Sequence, residues 1–169
     1  MAAVRTPADG REKWILYLTK PTDTPSLAAL TAADGIDISC LIAKSGSRIT
    51  PTGSETINDA AACESTNRKT FGLSNYEGSL APFLYFDVET GIYSMADNVA
   101  FEALRKKGTV AWVLYRDGRD SAANLSLGDL TSLYEIVTDD PQRADGSGYA
   151  KRNIPLDVGP VWVDEPLVA

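Results

Sequence analysis

The sequence predicts a mainly β (α+β) fold, a sandwich or barrel-like sheet with one flanking α-helix and one long extended loop. Three observations carry this. Short apolar runs rich in β-branched and aromatic residues recur between Gly, Pro and Asp punctuation. One stretch alone has clean helical spacing, and one polar segment, 45–67, is too long for an ordinary connection. The 169 residues are 44% hydrophobic and 23% charged, globular values that argue against disorder and for a single domain over 1–169.

The elements follow in order. Trp14-Ile15-Leu16-Tyr17-Leu18 reads as a strand, stopped by the Pro-rich stretch Pro21-Thr22-Asp23-Thr24-Pro25. Ile36, Ile38, Cys40 and Ile42 alternate with Asp37, Ser39 and Leu41, the period of a strand with one buried face. Cys40 is therefore expected to be a buried thiol. From Ser45 to Asn67 the chain is polar and small, a loop of the kind that is functional or ordered by a partner. Arg68 to Phe71 and Tyr76 to Val88 read as the next strands. The second carries Tyr76, Leu80, Leu84 and Phe86 on one face, with a bend or an edge position at Pro82, which has no N–H for a ladder.

The helix lies over 97–107. Ser94 and Asp97 form a variant capping pattern, and Val99, Ala100, Ala103 and Leu104 recur at helical spacing. Arg105, Lys106 and Lys107 fill its last turn, and Gly108 suits a left-handed cap. Residues 109–115 are apolar on both faces, as in a central strand covered by the helix, and end at the turn Arg116-Asp117-Gly118. Two further strands fall at about 131–138 and 149–158, around a polar loop. Pro punctuation after Pro160 predicts an extended tail, about 159–169, that straps across a neighbour.

Composition excludes several function classes. The net charge of −7 and a pI near 4.6 disfavour phosphate binding, since the densest basic run is Arg105-Lys106-Lys107. The absence of histidine removes Ser–His–Asp and Cys–His catalysis and every His-containing zinc site. Cys40 and Cys63 are too few for an all-cysteine zinc site, and a reducing cytoplasm disfavours their pairing. There is no P-loop or GxGxxG, and Gly146-Ser147-Gly148 sits in a polar loop. Asp139, Asp140 and Asp145 lack the spacing of a calcium loop. No cofactor, metal or catalytic residue is implied. The first thirteen residues contain no apolar stretch of the signal-peptide kind, and the longest apolar run, Val110 to Tyr115, is too short to span a bilayer. A protein made in a cytoplasm, with no membrane partner, is the expectation.

The order of features resembles a known family. Ser47 to Ala60, then Cys63-Glu64-Ser65-Thr66-Asn67, then the strand from Asn75 to Asp87 resemble major tail proteins, the tail tube subunits of long-tailed, non-contractile phages infecting actinobacteria. The helix from Asp97 to Lys107, the Trp112 strand and Arg116-Asp117-Gly118 fit the same pattern, so the likeness spans roughly residues 36 to 158. It implies a β-barrel-like core, stacked and six-fold rings, and a long loop that crosses to neighbouring subunits. It also implies a virion structural protein without enzymatic activity, assembled in the host cytoplasm. Its partners would be its own copies and other tail proteins such as the tape measure, tail tip and terminator, with DNA passing through without tight binding. Related tubes occur in contractile tails and secretion machines.

On this reading the subunit interface is expected at Arg48, Ile49, Thr50, Pro51, Thr52, Ile57 and Asn58. Acidic residues facing a lumen are expected among Asp37, Glu55, Asp59, Glu64, Glu77 and Asp87. Residues 48 to 64 contain few large apolar side chains, so their deletion is expected to spare the core. Two rival functions stand beside this one. A monomeric β-sandwich binding module of the virion, for a receptor or carbohydrate, needs an exposed aromatic platform. A carboxylate-pair hydrolase needs two carboxylates converging in a cleft.

Overall fold

The computed structural model describes residues 9–57, 70–144 and 148–169, and among these it contains ten strands and two short helices. In chain order they are β1 (Lys13–Tyr17), α1 (Leu27–Ala32), β2 (Gly35–Asp37), β3 (Arg48–Pro51), β4 (Thr56–Ile57), β5 (Thr70–Phe71) and β6 (Tyr76–Leu80). There follow α2 (Val99–Leu104), β7 (Val110–Arg116), β8 (Leu130–Thr138), β9 (Gln142–Arg143) and β10 (Arg152–Pro166). Eight strands form one antiparallel sheet, ordered β2-β1-β7-β8-β10-β6-β3, with β9 paired to the start of β10. The mainly β expectation is met.

Residues 109–115 hold the central place their two-sided apolarity predicts, because β7 lies between β1 and β8. Ala111 and Val113 point into one buried cluster and Leu114 into another. Each face has its own helix. Ala100 and Leu104 of α2 join Trp14, Leu16, Tyr134 and Ile136 on the first face. Leu30 of α1 joins Ile15, Tyr17, Leu133 and Trp162 on the second. Each fully buried leucine or isoleucine contributes about 1.5–3 kcal/mol, so these clusters hold the sheet.

The structure corrects several sequence expectations. A second helix, α1, exists, capped by Ser26, whose Oγ accepts from the Ala29 N–H. The α2 helix is six residues long and begins after Asn98, not at Asp97. Ser94 Oγ donates to Asp97 Oδ2, so the two residues of the expected cap satisfy each other. At the other end the Lys106 carbonyl accepts from the hydroxyls of Thr109 and Thr138, which draws the chain out of helix before Lys107. Gly108 does take a left-handed φ of +78°, but it lies three residues beyond the helix's C-cap, Arg105, and so turns the chain into β7 instead of capping α2.

The 36–42 strand is cut short. The Asp37 carboxylate accepts from the Ser39 N–H and hydroxyl, a local turn that competes with the ladder, so β2 stops at Asp37. Ile38 and Ile42 stay buried, but Cys40 is exposed and not the buried thiol that strict alternation predicts. The 76–88 strand likewise ends at Leu80, and Phe86 is exposed where one face of an uninterrupted strand would bury it. Pro82 marks the break, pairing with Ile42 only as an isolated bridge. Residues 160–166 belong to β10 and pair with β8, Leu167 is buried, and Val168 bridges to Ser26. The tail's backbone is thus tied into its own subunit.

The edge strand β2 is held closely. Gly35 pairs with Tyr17, and a Cβ there would lie 2.7 Å from both Ile15 Cγ2 and Tyr17 Cε1. Gly35→Ala is expected to lower stability by about 1–3 kcal/mol through overpacking, read by thermal melting.

Candidate assembly site

The long polar segment forms a projecting β-hairpin where the described residues reach it. Arg48 pairs with Ser79 and Pro51 with Tyr76. Farther out, Thr56 pairs with Phe71 and Ile57 with Thr70. Between these ladders the Thr52 N–H donates to the Asn75 carbonyl at 2.8 Å and the Gly72 N–H to the Glu55 carbonyl at 2.6 Å. The paired numbers sum to 127 from Arg48 to Ile57, so one unbroken register runs along the arm. On its other side β6 meets β10 only at Gly78, Ser79 and Leu80. Beyond Gly78 the arm leaves β10 behind, and the nine residues from Ile49 to Ile57 span roughly 25 Å at a strand's rise.

The expected interface residues divide along this arm. Arg48 sits at its root on the edge strand β3 and pairs with Glu77 at 2.7 Å. Ile49 packs against the main core. Thr50 and Pro51 complete β3, Thr52 continues the ladder, and Ile57 lies in β4. Asn58 falls outside the described residues. Residues 48–51 are therefore part of the sheet, not a free loop, and a deletion of 48–64 would remove a paired strand. Sequence reasoning missed the arm's most exposed large apolar side chains. Phe71 is 79% and Leu73 75% exposed. Two large apolar groups held in water on one ribbon make it a candidate contact surface.

The acidic candidates are scattered. Asp37 pairs with the buried Lys13 at 2.6 Å, and Glu77 pairs with Arg48. Asp87 accepts from the Thr90 hydroxyl and from the Thr90 and Glu89 N–H groups, which holds its carboxyl below the usual range and fixes a tight turn. Glu55 is exposed on the arm, while Asp59 and Glu64 fall outside the described residues. For Asp37, burial raises the carboxyl's pKa, but bonds from Lys13 and Ser39 outweigh it, and the net shift is downward. A depressed carboxylate stabilises the fold above its unfolded value near 3.8 and loses that contribution as pH falls through the lower folded value. The melting temperature of the wild type is therefore expected to fall below about pH 4 more steeply than that of Asp37→Asn, in a pH series of melts.

A second exposed apolar feature follows β6. Asn98, 1% exposed, accepts from the Tyr85 N–H and donates to the Tyr85 and Ser94 carbonyls, pinning a finger that spans 85–95. Its tip presents Val88, 98% exposed, with Ile92 and Met95.

At one end of the β1-β7-β8-β10 sheet lies a groove of about 570 Å³. Its walls include Trp14, Tyr115, Tyr134 and Val163, with Glu12 and Asp164 among its carboxylates. Trp14 and Tyr115 pack at a tilt of 59° with ring centroids 4.8 Å apart. Burial, together with the Asp117 carboxylate it donates to, pushes the Tyr115 phenol above its ordinary value, so it stays neutral. Asp164 lies where β10 shifts register against β8 and has φ +53°, a left-handed conformation that aspartate tolerates better than most residues. The groove thus brings aromatic faces and carboxylates together in one opening.

The family model for phage tail tube protein matches residues 1–169, the whole chain. The chain belongs to the phage tail tube protein family. No curated protein matches it. As a tail tube protein it is a virion structural component located in the tail, in a family that is structural and not enzymatic. Among the described residues no helix is long and apolar enough to cross a membrane.

Proposed function

We propose that this tail tube protein assembles into six-fold rings that stack as the wall of a long, non-contractile tail through which DNA passes. The observation that carries the reading is the projecting arm with its exposed Phe71 and Leu73, in a chain matched along its whole length by the tail tube family. In this reading the arm reaches a neighbouring subunit, and a repeated head-to-neighbour contact generates rings or filaments. The reading includes assembly in the cytoplasm of an actinobacterial host, docking with tape measure, tail tip and terminator proteins, and no catalysis. Arg48 to Thr52, Ile57 and Asn58 belong to this interface at or near the arm, with Phe71 and Leu73 added to them. Electron microscopy of concentrated protein tests it directly. Rings and tubes are expected, and a uniform monomer under long incubation would remove the reading.

The acidic balance fits a conduit. A wall rich in Lys and Arg would grip phosphates in a strong, salt-sensitive way, whereas a wall dominated by carboxylates lets a duplex slide. Asp37, Glu55, Asp59, Glu64, Glu77 and Asp87 remain the proposed lumen residues. Among the described ones Glu55 is the strongest, because Asp37 and Glu77 are neutralised by Lys13 and Arg48 and Asp87 serves its own turn. Assembled tubes are expected to show no DNA binding in a low-salt filter or anisotropy titration. Tight binding that collapses as salt rises would show a basic lumen instead.

A further inference from the structure

The two ends of the central sheet carry complementary chemistry. At the end beyond the Leu156↔Thr138 rung, β9 lies on the start of β10, and Arg143 stands directly opposite Arg152. Like charges opposed across a ladder destabilise it, and neither guanidinium pairs with a carboxylate among the described residues. Lys151 adjoins them, and Tyr149 beside it is 83% exposed. Toward the opposite end of β10 lies the groove described above, between the Trp14↔Tyr115 rung and Asp164, with Arg48, Ile49 and Pro51 of β3 along its other wall. Asp164 lies twelve positions along β10 from Arg152, a path of at most about 40 Å at a strand's rise.

Arginine suits such a groove for two reasons. Its planar guanidinium stacks on tryptophan and tyrosine faces while its N–H fork engages a carboxylate. The groove also contains cations, but Lys44 is committed to Asp9 and Glu12, and Arg48 to Glu77. Asp164 makes no ion pair with a described residue, and its carboxylate meets only the Ser132 hydroxyl. We propose that the Arg143–Arg152 pair of one subunit docks into the aromatic, carboxylate-bearing groove at the opposite end of a second copy of this chain, so that subunits add head to tail.

This inference rests on the self-assembly reading, and the test separates the two. One variant, Arg143→Glu with Arg152→Glu, spoils the cationic end. A second, Asp164→Asn, spoils the groove while keeping a residue that tolerates the left-handed backbone. Both are expected to melt like the wild type and to lose pelletable polymer by about tenfold or more, because each removes a charged contact at every junction. Each keeps one intact end, so their equimolar mixture is expected to form particles of twice the mass that either forms alone, read by analytical ultracentrifugation. If both variants polymerise like the wild type, or the mixture shows no doubling, the head-to-tail contact is wrong and the tube reading stands. A wild type that never assembles overturns both.

Discussion

Replacing Phe71 and Leu73 with serine is expected to abolish polymerisation while leaving the melting temperature of the subunit almost unchanged. The two side chains are 79% and 75% exposed, so the isolated subunit gains little from them. Substitutions at such positions typically move stability by no more than about 0.5 kcal/mol. At an interface the same groups act as anchors, and truncating an anchor costs about 2 kcal/mol or more. Two anchors lost at each contact weaken association by about 4 kcal/mol, close to a thousandfold in the binding constant. Light scattering over a concentration series, beside a thermal melt, reads both quantities. A companion deletion removes 52–75 and joins Pro51 to Tyr76 through Asn-Gly, which suits a tight hairpin turn. It preserves β3 and Ile49, so the core is expected to fold. Unfolding of either protein would make the arm part of the core, and persistent polymer would place the interface elsewhere.

The largest expected effect on the subunit itself comes from Arg116. Its side chain is fully buried at the end of β7, beneath the loop from Asp117 to Asp129. It donates to the carbonyls of Arg119, Asp120 and Ala123 and lies 3.6 Å from the buried Asp129 carboxylate. Removing one partner of a buried ion pair typically costs about 3–5 kcal/mol, because the other charge is left uncompensated. For a chain of this size Arg116→Ala is expected to lower the melting temperature by roughly 6–20 °C. Asp129 retains a weaker neighbour in Arg119 and the Ser126 N–H, which favours the lower part of that range. The double change Arg116→Leu with Asp129→Leu is expected to recover part of the loss. A melting temperature within about 1 °C of wild type for Arg116→Ala would mean that the loop does not depend on this anchor.

What the sequence revealed and what it concealed follow physical lines. The central strand was legible because a two-sided apolar run such as 109–115 has few other places to go. Gly108 was legible because a left-handed residue after a helix favours glycine. Cys40 misled because its alternation with isoleucines ignored Asp37, whose side chain closes a turn on Ser39 and rotates the next residue outward. The α1 helix was hidden because one turn and a half of Ala, Leu and Thr has little periodicity, and its burial depends on a sheet formed from distant strands. Arg116 read as the start of a turn, since nothing local shows that the loop ahead of it folds back to cover its guanidinium. The family resemblance pointed to the 45–67 region as an arm, but its hairpin geometry depends on pairing with 70–80 across the sequence. Phe71 was missed because an apolar residue in a strand pattern is first counted as core, and Leu73 because it falls in the gap between two strand readings.

The unbroken register of the arm also constrains how such a protein can evolve. Every rung from Arg48 to Ile57 shares one alignment with the returning strand, so a single residue gained or lost in one leg would turn over the faces of all rungs beyond it. Changes of length can therefore accumulate at the tip or as matched gains in both legs. Lineages that diverge in host or partner are then expected to vary in how far the ribbon reaches while keeping its root, from Arg48 to Pro51 against Tyr76 to Ser79, the same.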